Sequence, residues 1–134
     1  MNTDSMLKLL LVSPDRISLS DLETAFMEYH DVELLRARGG QNALDLLSNT
    51  PVDLVIGDED LGDMSGLDFA ARLLRLNPMI PCALVSDLSP VKFHEVSEGL
   101  GLVAQIPAGS GKRDAEDILM KLKRIKDLMS GGRP

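Results

Sequence analysis

Residues 51–69, PVDLVIGDEDLGDMSGLDF, narrow the choice of fold more than any other stretch of this chain. Residues 52–56 are an apolar run broken only by Asp53. The run is too brief for a globular helix and is bounded by Pro51 and an acidic turn, so it reads as a buried strand. Asp58, Glu59 and Asp60 follow, with Asp63 close behind. Ser65 and Asp68 have the spacing of a helix-opening capping box, in which Asp is a poorer partner than Glu. A helix is expected over 66–76, stopped by Asn77-Pro78. A carboxylate therefore stands just past the C-terminal end of a buried strand, where open α/β sheets place their ligands. The plainer account of the same acids is a solvated loop whose charges favour the positive end of the next helix.

The rest of the chain alternates in the same way. Residues 7–12 (LKLLLV) form a first strand, and Ile17, Leu19, Leu22, Ala25, Phe26 and Tyr29 give the apolar stripe of a first helix. Residues 32–37 read as a second strand. Gly39-Gly40 then turns the chain into a helix carrying Ala43, Leu44, Leu46 and Leu47. After the organising strand and its helix come a fourth strand over 80–85, with Pro81 tolerable near its start, and a short fourth helix over 91–98. A fifth strand is expected over 102–106. The last helix, marked by Ile118, Leu122, Ile125 and Met129, is expected to end at Gly131-Gly132.

Five such βα units imply an α/β fold, a doubly wound five-stranded parallel sheet with helices on both faces. Right-handed crossovers favour the flavodoxin-like strand order 2-1-3-4-5. Strands 1, 3 and 4 are then neighbours, and their C-terminal loops bring Ser13 to Asp15, Asp58 to Asp60, and Ser86-Asp87 into one crevice.

Composition bounds the function. The 134 residues, 44% hydrophobic, suit one domain over 1–134 with its core at about 6–130, and leave no room for a second. A net charge of −7 argues against a nucleic-acid binder, which needs a basic footprint. The lone cysteine, Cys82, excludes an internal disulfide and suits a reducing cytoplasm, and its place within a strand makes it a small core residue. The N-terminal apolar run is interrupted by Lys8 and is too short for a signal peptide or membrane span.

The string DLVIGDEDLGDMSGLDF resembles the central strand and loop of bacterial response-regulator receivers, the CheY-like family. The resemblance implies that Asp58 stands at the phosphoacceptor position and Ser86 at the hydroxyl position that contacts the phosphoryl group. Gly66-Leu67 then opens the following helix, and Pro107 is the proline after strand 5. In such receivers two acids after strand 1 join the acceptor in holding Mg²⁺, which wants oxygen ligands in octahedral geometry, and a Lys after strand 5 neutralises the phosphoryl charge.

This chain departs from that set. Ser13-Pro14 stand where the acidic pair belongs, and Ile106 stands at the Lys position. Losing that one charge-assisted contact costs roughly 1.5–3 kcal/mol of phosphoryl stabilisation. Asp87 follows Ser86 where a small residue is usual, and Val103 replaces the aromatic switch residue. The expectation is a degenerate receiver, a pseudo-receiver, that is not an enzyme and requires no cofactor. With Asp58 the only retained ligand carboxylate, Mg²⁺ should bind weakly, at about millimolar or worse. In the rival reading Asp15, Asp60 or Asp87 substitutes as metal ligand, and a histidine kinase phosphorylates Asp58.

Other motifs carry less. Gly109-Ser110-Gly111-Lys112 looks like the end of a nucleotide-binding loop, but Ile106 and Arg113 break the pattern at both ends. Aromatics, at 3%, are too few to sandwich a flavin. His30 and His94 stand alone. Charge is uneven: residues 1–111 carry 7 basic and 17 acidic side chains, a balance of −10, and residues 112–134 carry 7 and 4, a balance of +3. Part of that is the ordinary preference for cations near a helix C-terminus. The resemblance makes helix 4, strand 5 and helix 5 the contact face, so Lys121 and Arg124 are expected to meet an acidic signalling partner, a histidine kinase or downstream target, or a second copy of the chain. Neither nucleic acid nor membrane is expected as a partner.

Overall fold

The computed structural model describes residues 6–130. The elements run β1 (Leu7–Val12), α1 (Ser20–Phe26), β2 (Val32–Ala37), α2 (Gly40–Leu47), β3 (Leu54–Gly57), α3 (Gly66–Leu76), β4 (Cys82–Val85), α4 (Pro90–Val96), β5 (Ala104–Ile106) and α5 (Lys112–Ser130). All strand pairs are parallel, in the order β2-β1-β3-β4-β5, as expected from the alternation.

Side chains two apart on a strand share a face, and this period builds two cores. Leu9, Leu11, Leu54, Ile56, Ala83, Val85 and Ile106 pack with Leu22 and Phe26 of α1 and Ile118 and Leu122 of α5. On the opposite face Leu10, Val12, Val55, Cys82 and Leu84 pack with Ala43 and Leu47 of α2, Phe69 and Leu73 of α3, and Phe93 of α4. The strands at the centre are buried at every residue but Lys8, which is why they read as near-continuous apolar runs rather than alternating ones.

The bounds of β1, β2 and α3 match the sequence reading. Ser65 caps α3, its hydroxyl oxygen accepting the Asp68 N–H at 3.0 Å. Elsewhere the ends shift for local reasons, mostly inward, although α4 starts one residue earlier than expected, at Pro90. β3 begins at Leu54 because Asp53 turns its carboxylate to the Lys8 N–H at 2.8 Å and to Lys126 Nζ at 2.7 Å. Pro81 lends only its carbonyl to the ladder, accepting the Val55 N–H at 3.0 Å, so β4 starts at Cys82. α4 opens on the Ser89 cap with Pro90 in its first turn and stops before Gly99, whose φ is +86°.

The first helix needs the largest correction. Asp15 Oδ1 accepts the N–H groups of Ile17 and Ser18 at 2.8 and 3.0 Å, holding this stretch in a turn. Ile17 is left 81% exposed, outside the stripe assigned to it, and α1 starts only at Ser20. The expected end of the last helix, Gly131-Gly132, lies outside the described residues. No described helix is long and apolar enough to cross a membrane.

Candidate functional site

The parallel register sets the C-terminal ends of β1, β3 and β4 side by side, with Val12 opposite Gly57 and Gly57 opposite Leu84. The next residues, Ser13, Asp58 and Ser86, therefore fall in one crevice. Asp58 is half-buried and held by its own N–H, which donates to the Val12 carbonyl at 3.0 Å. Its Oδ1 accepts the Glu59 N–H at 2.8 Å, and its Oδ2 lies 3.4 Å from the Ser13 hydroxyl. Ser13 is buried, and its single proton has the better acceptor in the Asp15 carbonyl at 2.9 Å. Ser86 is also buried and accepts the Leu88 N–H at 3.1 Å, leaving its own proton to donate.

Gly66 is required by close approach. A Cβ there would sit 2.5 Å from the Asp58 carbonyl oxygen, so any larger residue would push Asp58 out of place. This gives a physical reason for the Gly that opens α3.

At the position implied for a lysine, Ile106 is 2% exposed and packs into the α1–α5 core. Pro14 offers no donor or acceptor side chain beside Asp58. Asp15 spends its carboxylate on the turn before α1, including a bond from the Ser18 hydroxyl at 3.3 Å. Asp60 folds back on its own loop and accepts the Gly62 N–H at 2.9 Å, and Asp87 is exposed. Among the described residues no group of three or more His, Cys, Asp or Glu side chains converges as a metal site would. Val103 is partly buried against the α1–α5 core.

Two residues carry more than their sequence context disclosed. Gln105 donates from Nε2 to the carbonyls of Ser86 and Leu88, at 3.2 and 2.7 Å, and so pins the β4–α4 loop to β5. The strand alternation points to it, since Gln105 sits between Ala104 and Ile106 on the opposite face. Asp63 caps α2 from the β3–α3 loop, accepting the Gly40 and Gln41 N–H groups at 2.9 and 3.0 Å. No local pattern announces a cap 22 and 23 residues away.

The bonds from Gln41 and Gly40 hold the Asp63 carboxyl below its ordinary value of 3.8. Those from Ser18 and Ile17 do the same for Asp15. A carboxyl whose folded value is depressed contributes stability above its unfolded value and loses it as pH falls through the folded one. Stability should therefore fall as the pH drops below 3.8. Asp63→Asn should make that fall shallower, read as urea midpoints across a pH series. An unchanged slope would remove Asp63 as a contributor. Cys82 takes no part in such titration, because burial pushes its thiol up to about 12.

The basic α5 is largely spoken for by its own fold. Lys112 faces Glu28 at 3.7 Å, Lys123 faces Asp31 at 3.4 Å and Lys126 pairs with Asp53. Lys121 Nζ donates to the Val103 carbonyl at 3.1 Å while remaining exposed, and Arg124 is exposed. Among the described residues, the α5 cations without a carboxylate partner are Lys121 and Arg124, and Arg113 at the start of the helix.

No curated protein matches the sequence. Among solved structures, a CheY-like response regulator receiver domain protein from Methanospirillum hungatei JF-1 is similar, with a TM-score of 0.75 and 24% identity, covering 92% of this chain and 98% of that one. A chemotaxis response regulator of Vibrio cholerae gives a TM-score of 0.73 at 18% identity, covering 87% and 98%. A response regulator described from Chloroflexus aurantiacus gives 0.77 at 18%, covering 87% and 97%. The sequence itself matches the response regulator receiver domain family over residues 9–106. With that match over most of its length, the chain belongs to the response-regulator receiver family of two-component signalling.

Proposed function

We propose that this receiver is a non-enzymatic cytoplasmic signalling module that acts through protein–protein contact, with phosphorylation at Asp58 lost or weak. The observation that carries the reading is Ile106, an apolar side chain closed into the core where phosphoryl charge needs a cation. Ser13 and Pro14 add to it. An octahedral ion wants several oxygen ligands, and the side chains at 13 and 14 bring no carboxylate to Asp58 while Asp15 is bonded to Ile17 and Ser18, so Mg²⁺ binds weakly and no cofactor is required. Incubation with Mg²⁺ and acetyl phosphate, followed by intact mass measurement, should show no stable adduct. A stoichiometric adduct that disappears in Asp58→Asn would overturn the reading. It would establish the alternative, an Mg²⁺-dependent phosphoacceptor served by a histidine kinase, which the half-exposed Asp58 and the well-placed Ser86 favour.

The partner, a signalling protein or a second copy of the chain, docks on the face of α4, β5 and α5 around Lys121 and Arg124. These cations stand on a chain of net charge −7 and steer an acidic surface. Reversing both to Glu should slow association and flatten its salt dependence, measured by surface binding at several ionic strengths. A partner whose affinity and salt response are unchanged would place docking elsewhere.

A further inference from the structure

A cleft of about 490 Å³ opens beside the acceptor crevice, between the C-terminal ends of β1 and β2. Ser13, Pro14, Asp15, Arg16, Arg36, Arg38 and Asn42 line it. Three guanidinium groups converge here on a chain with a net charge of −7.

Their states differ in a way that suits a ligand. Arg36 is mostly buried and pre-set, with Nη1 on Glu23 Oε1 at 2.7 Å and Nη2 on the Asp15 carbonyl at 3.2 Å. Glu23 is therefore used, and it lies 4.0 Å from Arg16, whose side chain is 77% exposed. Arg38 is exposed, and its guanidinium has no hydrogen-bond or ion-pair partner among the described residues. Asn42 Oδ1 accepts the Arg38 N–H at 3.1 Å, which leaves the Asn42 amide protons to donate. The one carboxylate in the lining, Asp15, is satisfied by Ile17 and Ser18. The cleft thus offers one uncommitted planar fork, Arg38, a second, Arg16, held only by Glu23 at 4.0 Å, and an amide donor, against one occupied carboxylate.

Planar forks match the oxygens of phosphate or carboxylate, and the volume lies in the range of small-molecule sites, roughly 300–1,000 Å³. No aromatic side chain lines the cleft, so it has no platform for a nucleobase. We propose that the Arg16–Arg36–Arg38 cleft binds a small phosphate-bearing anion, a phosphomonoester without a base, and that this site works whether or not Asp58 is phosphorylated. Ser13 is a wall of both cleft and crevice, so binding is felt at Asp58, 3.4 Å beyond it.

The test is a titration of the full chain followed by backbone amide spectra, using glycerol phosphate, inorganic phosphate, malonate and sodium chloride at matched ionic strength. Glycerol phosphate should give saturable shifts at Ser13, Asp15, Arg38 and Asn42, with the shift spreading to Asp58. Arg38→Gln removes a side chain with no internal partner, so it should leave the melting temperature unchanged and weaken binding about tenfold or more, the loss of one charge-assisted contact. Arg75→Gln, an exposed change on α3 away from the cleft, should bind as the parent does. Shifts that stay linear and equal those of chloride would overturn the proposal, as would undiminished binding in Arg38→Gln. Malonate binding more tightly than either phosphate would overturn the assignment to phosphate.

Discussion

Introducing three side chains, Ser13→Asp, Pro14→Asp and Ile106→Lys, is expected to give a chain that carries an Asp58-dependent phosphate adduct where the parent, on the proposed function, takes up none that is stable. The scaffold for that chemistry is present: Asp58 is half-buried just past β3, Ser86 follows the neighbouring strand β4 with a proton to donate, and Gly66 makes room for the Asp58 carbonyl. What is absent is charge of the right sign in the right places. A new carboxylate at Ser13, whose hydroxyl lies 3.4 Å from Asp58, would repel it unless a divalent cation sits between them. The variant should therefore gain thermal stability from Mg²⁺ where the parent does not. The lysine costs stability, since Ile106 is 2% exposed and losing its burial forfeits roughly 2–3 kcal/mol. Intact mass after acetyl phosphate, with Asp58→Asn in the same background as control, reads the outcome. If the triple variant takes up no more phosphate than the parent, the missing groups are not what silences Asp58.

The second large effect is on stability. Phe26 and Phe69 are both 0% exposed, and they anchor opposite faces of the sheet, Phe26 in the α1–α5 core and Phe69 in the core of α2, α3 and α4. Each is expected to cost about 3–5 kcal/mol when cut to Ala, the lost transfer of the ring plus the cavity it leaves. That is a large fraction of the roughly 5–15 kcal/mol that holds a domain of this kind. Met27, next in sequence to Phe26 but 69% exposed, should change stability by no more than about 0.5 kcal/mol on the same substitution. Denaturant midpoints at constant slope measure all three. A loss at Phe26 no larger than at Met27 would mean that the α1–α5 layer packs differently from this account.

The strands and their order were readable because burial leaves a periodic trace. Leu9 and Leu11 point one way and Leu10 and Val12 the other, and every central strand is covered on both faces, so short continuous apolar runs mark it without reference to anything distant. Once five such runs alternate with helical stripes, few topologies remain, and the one adopted brings Ser13, Asp58 and Ser86 together.

Polar contacts between elements left no such trace. Ile17 continued the stripe of α1 on paper, yet the Asp15 carboxylate captured the backbone at Ile17 and Ser18 and turned that side chain to solvent. Asp53 broke a strand pattern because its partners, Lys8 and Lys126, lie 45 and 73 residues away. Asp63 caps a helix that precedes it, Gln105 holds a loop on the next strand, and the basic α5 spends most of its lysines on Glu28, Asp31 and Asp53. The arginine cleft is of the same kind, assembled from Arg16 after β1 and from Arg36 and Arg38 at the end of β2. Apolar burial depends on which face of its own element a residue occupies, and a single segment encodes that. A directed bond between charges depends on two segments meeting within about 3 Å, a separation set when the packed cores lock the register.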